Sequence, residues 1–211
     1  MLDADIYGPS IPKLFGINDK PKSDGRKLEP VMKYDIQCMS IGFLTDEKTP
    51  MIWRGPMVTS AIKTFTQQVN WTDLDFIIVD MPPGTGDTQL TFSQSIEMNG
   101  AIIVSTPQEV ALLDVKRGIK MFDKLGVKIL GLIDNMSSFT GDDGKKYAIF
   151  GEGGVKRIAK EFHKEFLAEI PIDPNIGKFG DQGKPIVENN PHSKISQIYI
   201  NLAKKIKSIY L

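Results

Sequence analysis

The run FIIVD at 76–80 reads as a buried strand that delivers a carboxylate, Asp80, to its C-terminal tip. A Pro/Gly turn, Met81-Pro82-Pro83-Gly84-Thr85-Gly86, follows at once and leads into Asp87. In open α/β sheets ligands bind just outside such strand ends. A carboxylate there suits a hydrated Mg²⁺, which keeps several waters and takes few protein ligands. Gly84 and Gly86, on either side of Thr85, let backbone N–H groups come close to a phosphate. Taken alone, the turn reads equally well as a tightly closed strand end.

A second segment has the same form. Met1 to Ile6, MLDADI, reads as the end of a strand, and Gly8-Pro9 follows. Asp3 and Asp5 are two residues apart, so on an extended strand they lie on one side and both face any metal–phosphate site there. One of them could orient a water for in-line attack on a γ-phosphate. In isolation a solvated loop start explains the pair as well. A chain that opens inside a buried strand is read as truncated at its N-terminus.

The elements that must position these carboxylates alternate strand with helix. After 76–80 come a helical stretch near 88–97, the strand AIIVS at 101–105, and a helix with Leu112, Val115, Ile119 and Phe122 on one face, stopping near Gly126. Thr106-Pro107-Gln108-Glu109 has the form of a capping box opening that helix, with Thr106 at the N-cap. A strand at 128–134, a helix at 153–166 and a short strand at 168–170 follow. The last helix opens at Asn190-Pro191 and stripes Ile195, Ile198, Leu202, Ile206 and Ile209. Between 20 and 50 the pattern weakens, and 28–31 with 36–41 reads as a hairpin or as edge strands. Strands that are apolar throughout belong to parallel sheets buried on both faces. The expected fold is therefore α/β, a doubly wound, mostly parallel sheet with helices on both faces, in one domain over 1–211.

The 211 residues carry 26 basic and 26 acidic side chains, so no bulk charge draws the chain to nucleic acid or to an anionic membrane. Apolar residues make up 41%, enough for a sizeable core, and no apolar run reaches membrane-spanning length. A single cysteine, Cys38, rules out an intramolecular disulfide and fits a reducing, cytoplasmic compartment. Cys38 stands inside the apolar patch IQCMSIGFL and reads as a buried structural residue. His163 and His192 have no partner in sequence suggesting catalysis and read as surface residues.

The series DADIYGPSIPKLFG, WRGPM, DFIIVDMPPGTGDTQL, STPQEVALLDVKRG, DNMSSF, IFGEGG and IPIDPNI, in this order, resembles the Mrp/ApbC branch of the ParA/MinD-type P-loop ATPases over essentially the whole chain. The resemblance implies an iron–sulfur-cluster carrier that binds and hydrolyses ATP with Mg²⁺, works as a homodimer and serves iron–sulfur client apoproteins, without nucleic acid or membrane. It implies that Asp80 is the Walker B carboxylate holding Mg²⁺ through water, and that Asp5, with Asp3 before it, is the switch carboxylate near the attacking water. Gly84, Thr85 and Gly86 would belong to the γ-phosphate-sensing switch. Asn135 would contact the adenine edge, which suits an amide offering both donor and acceptor. The backbone around Pro171 and Asp173 would line the base pocket. Trp53-Arg54-Gly55-Pro56 matches a hallmark of the family, read here either as a partner surface or as core packing.

Two departures matter. No G-x-x-x-x-G-K-[ST] occurs, so the phosphate cradle, its lysine and its Mg²⁺-binding hydroxyl are missing, and with them the first strand and helix of the sheet. And where many members carry Cys-x-x-Cys, residues 137–144 read SSFTGDDG. A 4Fe–4S cluster at the family's usual site is therefore not expected. Two other functions compete. One is a non-catalytic interaction module or split-gene product. The other is a MinD-like spatial regulator, which would need a C-terminal amphipathic membrane helix. Lys204, Lys205 and Lys207 flank the last helix, but its apolar stripe is what a core-covering helix requires.

Overall fold

The computed structural model describes residues 1–5, 8–43 and 55–211. These form two compact units: Met1–Glu97 with Lys178–Pro185, and Met98–Gly177 with Ile186–Leu211.

In the first unit, β1 (Leu2–Asp3) is followed by α1 (Ile11–Phe15), the hairpin of β2 (Val31–Lys33) and β3 (Ile36–Ser40), α2 (Gly55–Gln67), β4 (Val79–Asp80) and α3 (Asp87–Ser95). The sheet order is β2-β3-β1-β4. β1 runs parallel to both neighbours, with Asp3 opposite Ser40 on one side and Asp80 on the other. The core is Leu2, Cys38, Met39, Ile41, Phe43, Phe65, Val69 and Phe92. Trp71 Nε1 donates to the Phe65 carbonyl at 3.0 Å, tying the end of α2 to the segment leading toward β4.

The expected hairpin is there but sits further along, because Leu28 is taken by isolated bridges to Ser23 and Val69. Its turn holds Tyr34 and Asp35 at φ 51° and 57°, a left-handed pair that type I′ hairpins require; Asp tolerates it, a bulky Tyr rarely does. Tyr34 compensates, its hydroxyl donating to the Gly183 carbonyl at 2.9 Å. The strand expected at 76–80 is shorter than its apolar run. β4 is an edge strand, and Ile77 and Ile78 are 45% and 56% exposed. Continuous apolar sequence predicts burial on both sides, yet among the described residues only β1 pairs with β4.

In the second unit, β5 (Ala101–Ser105) leads into α4 (Glu109–Lys124). Then come β6 (Ile129–Thr140), β7 (Lys146–Tyr147), α5 (Gly154–Glu161), β8 (Phe166–Ile172), α6 (Pro174–Asp181), α7 (Ile186–Asn189) and α8 (Lys194–Tyr210). β6 is flanked by β5 and β8, both parallel, and its far end turns back on β7. Leu112, Val115, Ile119 and Phe122 of α4 pack with Val155, Ile158 and Ala159 of α5 over Ile129 and Leu132. Ion pairs lace the two helices along their exposed side: Glu109–Arg157, Lys116–Glu161 at 2.9 Å and Asp123–Lys164 at 2.7 Å. The striped α8 packs on β8, and its Tyr210 hydroxyl donates to the Asn99 carbonyl at 2.9 Å.

Two helix starts differ from expectation. α4 begins at Glu109 with Gln108, not Thr106, at the N-cap and no side-chain cap. A Cβ on Gly154 would stand 2.5 Å from the Pro107 carbonyl, so residues 106–108 are committed to packing against the start of α5. α8 opens two residues beyond Pro191, where Ser193 Oγ accepts from Ser196 N at 3.1 Å. The strand at 128–134 runs on to Thr140, and the polar stretch 141–145 is the turn joining it to β7.

Gly16, the C-cap of α1, and Gly183 meet backbone to backbone, both at positive φ, 62° and 67°. A Cβ on Gly183 would lie 2.4 Å from Gly16 Cα. Gly183→Ala is therefore expected to destabilise the first unit by about 2–4 kcal/mol, combining left-handed strain with overpacking. Urea unfolding followed by tryptophan fluorescence measures this, and an unchanged midpoint would refute the close packing.

Candidate functional site

The carboxylates singled out in sequence converge in the first unit. β1 and β4 are parallel neighbours in register, so their C-terminal tips place Asp3 beside Asp80. Asp3 is fully buried. Its Oδ2 accepts from Ser40 Oγ at 2.9 Å and from Ile11 N at 3.1 Å, and its Oδ1 accepts from Asp5 N at 3.2 Å. Ser40 Oγ in turn accepts from Gly42 N at 3.0 Å. Burial pushes the Asp3 carboxyl above the ordinary carboxylate value, against the pull of these donors. Its bonds organise the loop that carries Asp5 and start α1, which makes it a positioning residue.

Asp5 stands partly exposed beyond the strand tip and accepts from Gly8 N at 3.3 Å. Burial also pushes Asp80 up, and the nearby Asp3 and Asp5 charges push it further. Like charges held near one another in a half-buried place repel, and this adds to the rise at Asp80; among the described residues no three such side chains stand together as a metal site. The turn after Asp80 is pinned by Gln89 Nε2 donating to the Pro82 carbonyl at 2.6 Å. Gly84 takes φ 90°, a Cβ on Gly84 or Gly86 would meet nothing within 4 Å, and Thr85 is half-buried between them. Gly86 is the N-cap of α3 and gives it no side-chain cap.

The remaining sequence candidates lie in the second unit. Asn135 pairs with Ile170 across β6 and β8, which brings it beside Pro171 at the same sheet end. Directly after Asn135, Met136 takes φ 56°, and the β6–β8 register shifts between Asn135 and Phe139. Strain of this kind gathers at sites of function. Asp173 Oδ1 accepts from Asn175 N at 2.8 Å and Nδ2 at 2.9 Å, so this side chain shapes the entry to α6. Trp53 and Arg54, with Ile6 and Tyr7, lie outside the described residues.

Sequence reasoning missed Ser40, Gln89, Asp134 and Met136. Ser40 had a usable signal, a hydroxyl at the end of the neighbouring strand. Asp134 is buried, its Oδ1 has no hydrogen-bond partner, and its carboxyl is pushed up to about 6 by burial and then by Glu169 on β8.

Comparison with known proteins follows the same lines. A family model of the ParA group, described as NUBPL iron-transfer P-loop NTPase, matches residues 1–207. The chain is 47% identical over 208 residues to the Arabidopsis thaliana iron–sulfur protein required for NADH dehydrogenase, mitochondrial, spanning 98% of this chain and 66% of that one. It is 43% identical to the iron–sulfur cluster carrier protein of Escherichia coli K12, with 98% and 57% covered. The chain thus spans less than two thirds of the length of these relatives. A nucleotide-binding protein from Archaeoglobus fulgidus, solved with ADP, superposes with a TM-score of 0.75 at 39% identity, over 87% of this chain and 72% of that one. Pyrococcus furiosus MinD shares the fold, with a TM-score of 0.68 at 19% identity.

Because Asp134 is favoured in its protonated form when folded, the folded chain keeps a proton above the ordinary carboxylate pKa that the unfolded chain has already released. Its contribution to stability therefore falls as pH rises through that range toward about 6. Asp134→Asn, which stays neutral, should gain on the wild type by on the order of 1–3 kcal/mol between about pH 4 and about pH 7. Urea titrations of both proteins across this range check it, and a pH-independent difference would contradict the assignment.

Proposed function

As a member of the NUBPL iron-transfer P-loop NTPase family, this chain is, we propose, the ATPase part of an iron–sulfur-cluster delivery protein. The observation that carries this reading is the grouping of Asp3, Asp5 and Asp80 at adjacent strand tips, followed by the turn 81–86. The names of the relatives, cluster carrier and required for NADH dehydrogenase, support the delivery role.

In this proposal the substrate is Mg·ATP. Mg²⁺, when bound, offsets the charge of the triphosphate. Asp80 would hold it, Asp5 would orient the attacking water, and Asp3 would keep Asp5 in place through the bonds described above. The backbone of Gly84, Thr85 and Gly86 follows the γ-phosphate, with Gln89 holding their turn. Asn135 meets the adenine edge and the backbone of Pro171 to Asp173 lines the base. The chain acts as a homodimer with iron–sulfur apoproteins as clients, in a reducing compartment such as the cytoplasm; one plant relative is named as mitochondrial. Among the described residues no helix is long and apolar enough to cross a membrane.

The phosphate-binding loop that names the family is not among these 211 residues. We place it on a segment outside them that pairs as a further parallel strand along the open edge of β4, covering Ile77 and Ile78. Without it, two acidic strand tips face an anionic substrate. Losing one preorganised donor to a charged transition state costs about 3 kcal/mol, a hundredfold or more in rate, and here the whole cradle is lacking. Residues 1–211 alone should neither bind Mg·ATP tightly by calorimetry nor release phosphate measurably. A longer chain that includes the loop should do both, and Asp80→Asn in that longer chain should lose turnover again. Robust, Asp80-dependent hydrolysis by residues 1–211 would overturn this account of the site.

A further inference from the structure

We infer that these 211 residues supply no ligand to an iron–sulfur cluster, so that any cluster delivered with their help is held by thiolates outside them. The inference rests on the delivery reading above and goes beyond it, because it assigns every ligand to residues other than these. Iron–sulfur clusters are held by cysteine thiolates, with histidine replacing some of them in one class.

Cys38, the single cysteine, lies on β3, whose neighbours β2 and β1 pair along both its edges. It is fully buried against the core, and its Sγ donates to the Ile36 carbonyl at 3.6 Å. Burial pushes the thiol up, away from the thiolate form that binds iron. Two copies of the chain would bring only two such thiols. Among the described residues no three of the His, Cys, Asp and Glu side chains stand together as a metal site. The residues outside the description contain neither cysteine nor histidine.

The β6–β7 hairpin tip is closed on itself as well. Asp143 accepts from Lys145 N at 3.0 Å and from the Tyr147 hydroxyl at 2.9 Å, so its carboxylate is already engaged. A side chain on Gly141 would meet Asp143 Oδ1 at 2.9 Å, and Gly144 takes φ 74°. The tip is built for glycine at both places.

The test is anaerobic incubation of the full chain with ferrous iron and sulfide under reducing conditions, then desalting, iron and sulfide assay, and visible absorption. Wild type and Cys38→Ser should be indistinguishable, both without the thiolate-to-iron band. Iron and sulfide retained in stoichiometric amounts with that band, on either protein, overturns the inference. Because Cys38→Ser alters a buried position, iodoacetamide labelling of the wild type gives an independent check. Cys38 should react only after unfolding in urea, and labelling of the folded chain at the rate of a free thiol overturns the inference too. The delivery reading is tested separately, with a ferredoxin apoprotein as the probe. If the chain joined to its phosphate-binding loop holds no cluster and also fails to speed the loading of that apoprotein with ATP present, the inference stands and the delivery reading falls.

Discussion

A carboxylate with no exposure to water must have its oxygens satisfied from within, and Asp3 organises the first unit around that requirement. Ser40 answers from the neighbouring strand, Ile11 from the first residue of α1, and Asp5 from the loop between. A single side chain thus ties two strands, one helix and the loop that carries the second carboxylate. Because β1 and β4 run parallel and in register, the same arrangement sets Asp80 beside it. The geometry that stabilises the loop also concentrates negative charge at one sheet end. That repulsion helps to hold the Asp80 carboxyl above its ordinary value.

The second unit solves a different problem. Its central strand pairs with β8 as far as Asn135 and, after a shift in register, again at Phe139, where it also forms the hairpin with β7. Met136 in a left-handed conformation makes the change of direction, and the register with β8 shifts there. Just before this joint, Asp134 is buried with an oxygen that nothing answers. A buried carboxyl with an unpartnered oxygen and a left-handed methionine thus flank Asn135 on either side, both costs to the fold.

The family name speaks of iron transfer, but the chemistry of this chain is carboxylate-rich at one sheet end and poor in thiols. Asp3, Asp5 and Asp80 are gathered near adjacent strand tips, whereas the single cysteine is buried on β3. Proteins of one fold commonly divide tasks among partners, since function lives in sites set on a fold and not in the fold itself.

The amino-acid sequence alone determined the α/β class, the strand tips at Asp80 and Ser105, the apolar face of α4 and the identity of the carboxylates, because periodicity and turn chemistry are local signals. It also made Cys38 a core residue, since it stands in a mainly apolar run from Ile36 to Leu44. Only the tertiary structure decided that Asp3 positions and Asp5 projects, two residues of identical type whose difference lies in Ser40, 37 positions away. It decided that α4 starts at Glu109 with Gln108 at the N-cap, where Pro107 lies close against Gly154. It placed a left-handed conformation at Tyr34, whose residue type argues against it, where the Tyr34 hydroxyl is held on Gly183. And it left Ile77 and Ile78 exposed although their sequence calls for burial. Local pattern states what a segment prefers; which preference is met depends on partners that are distant in the chain, and those no local pattern contains.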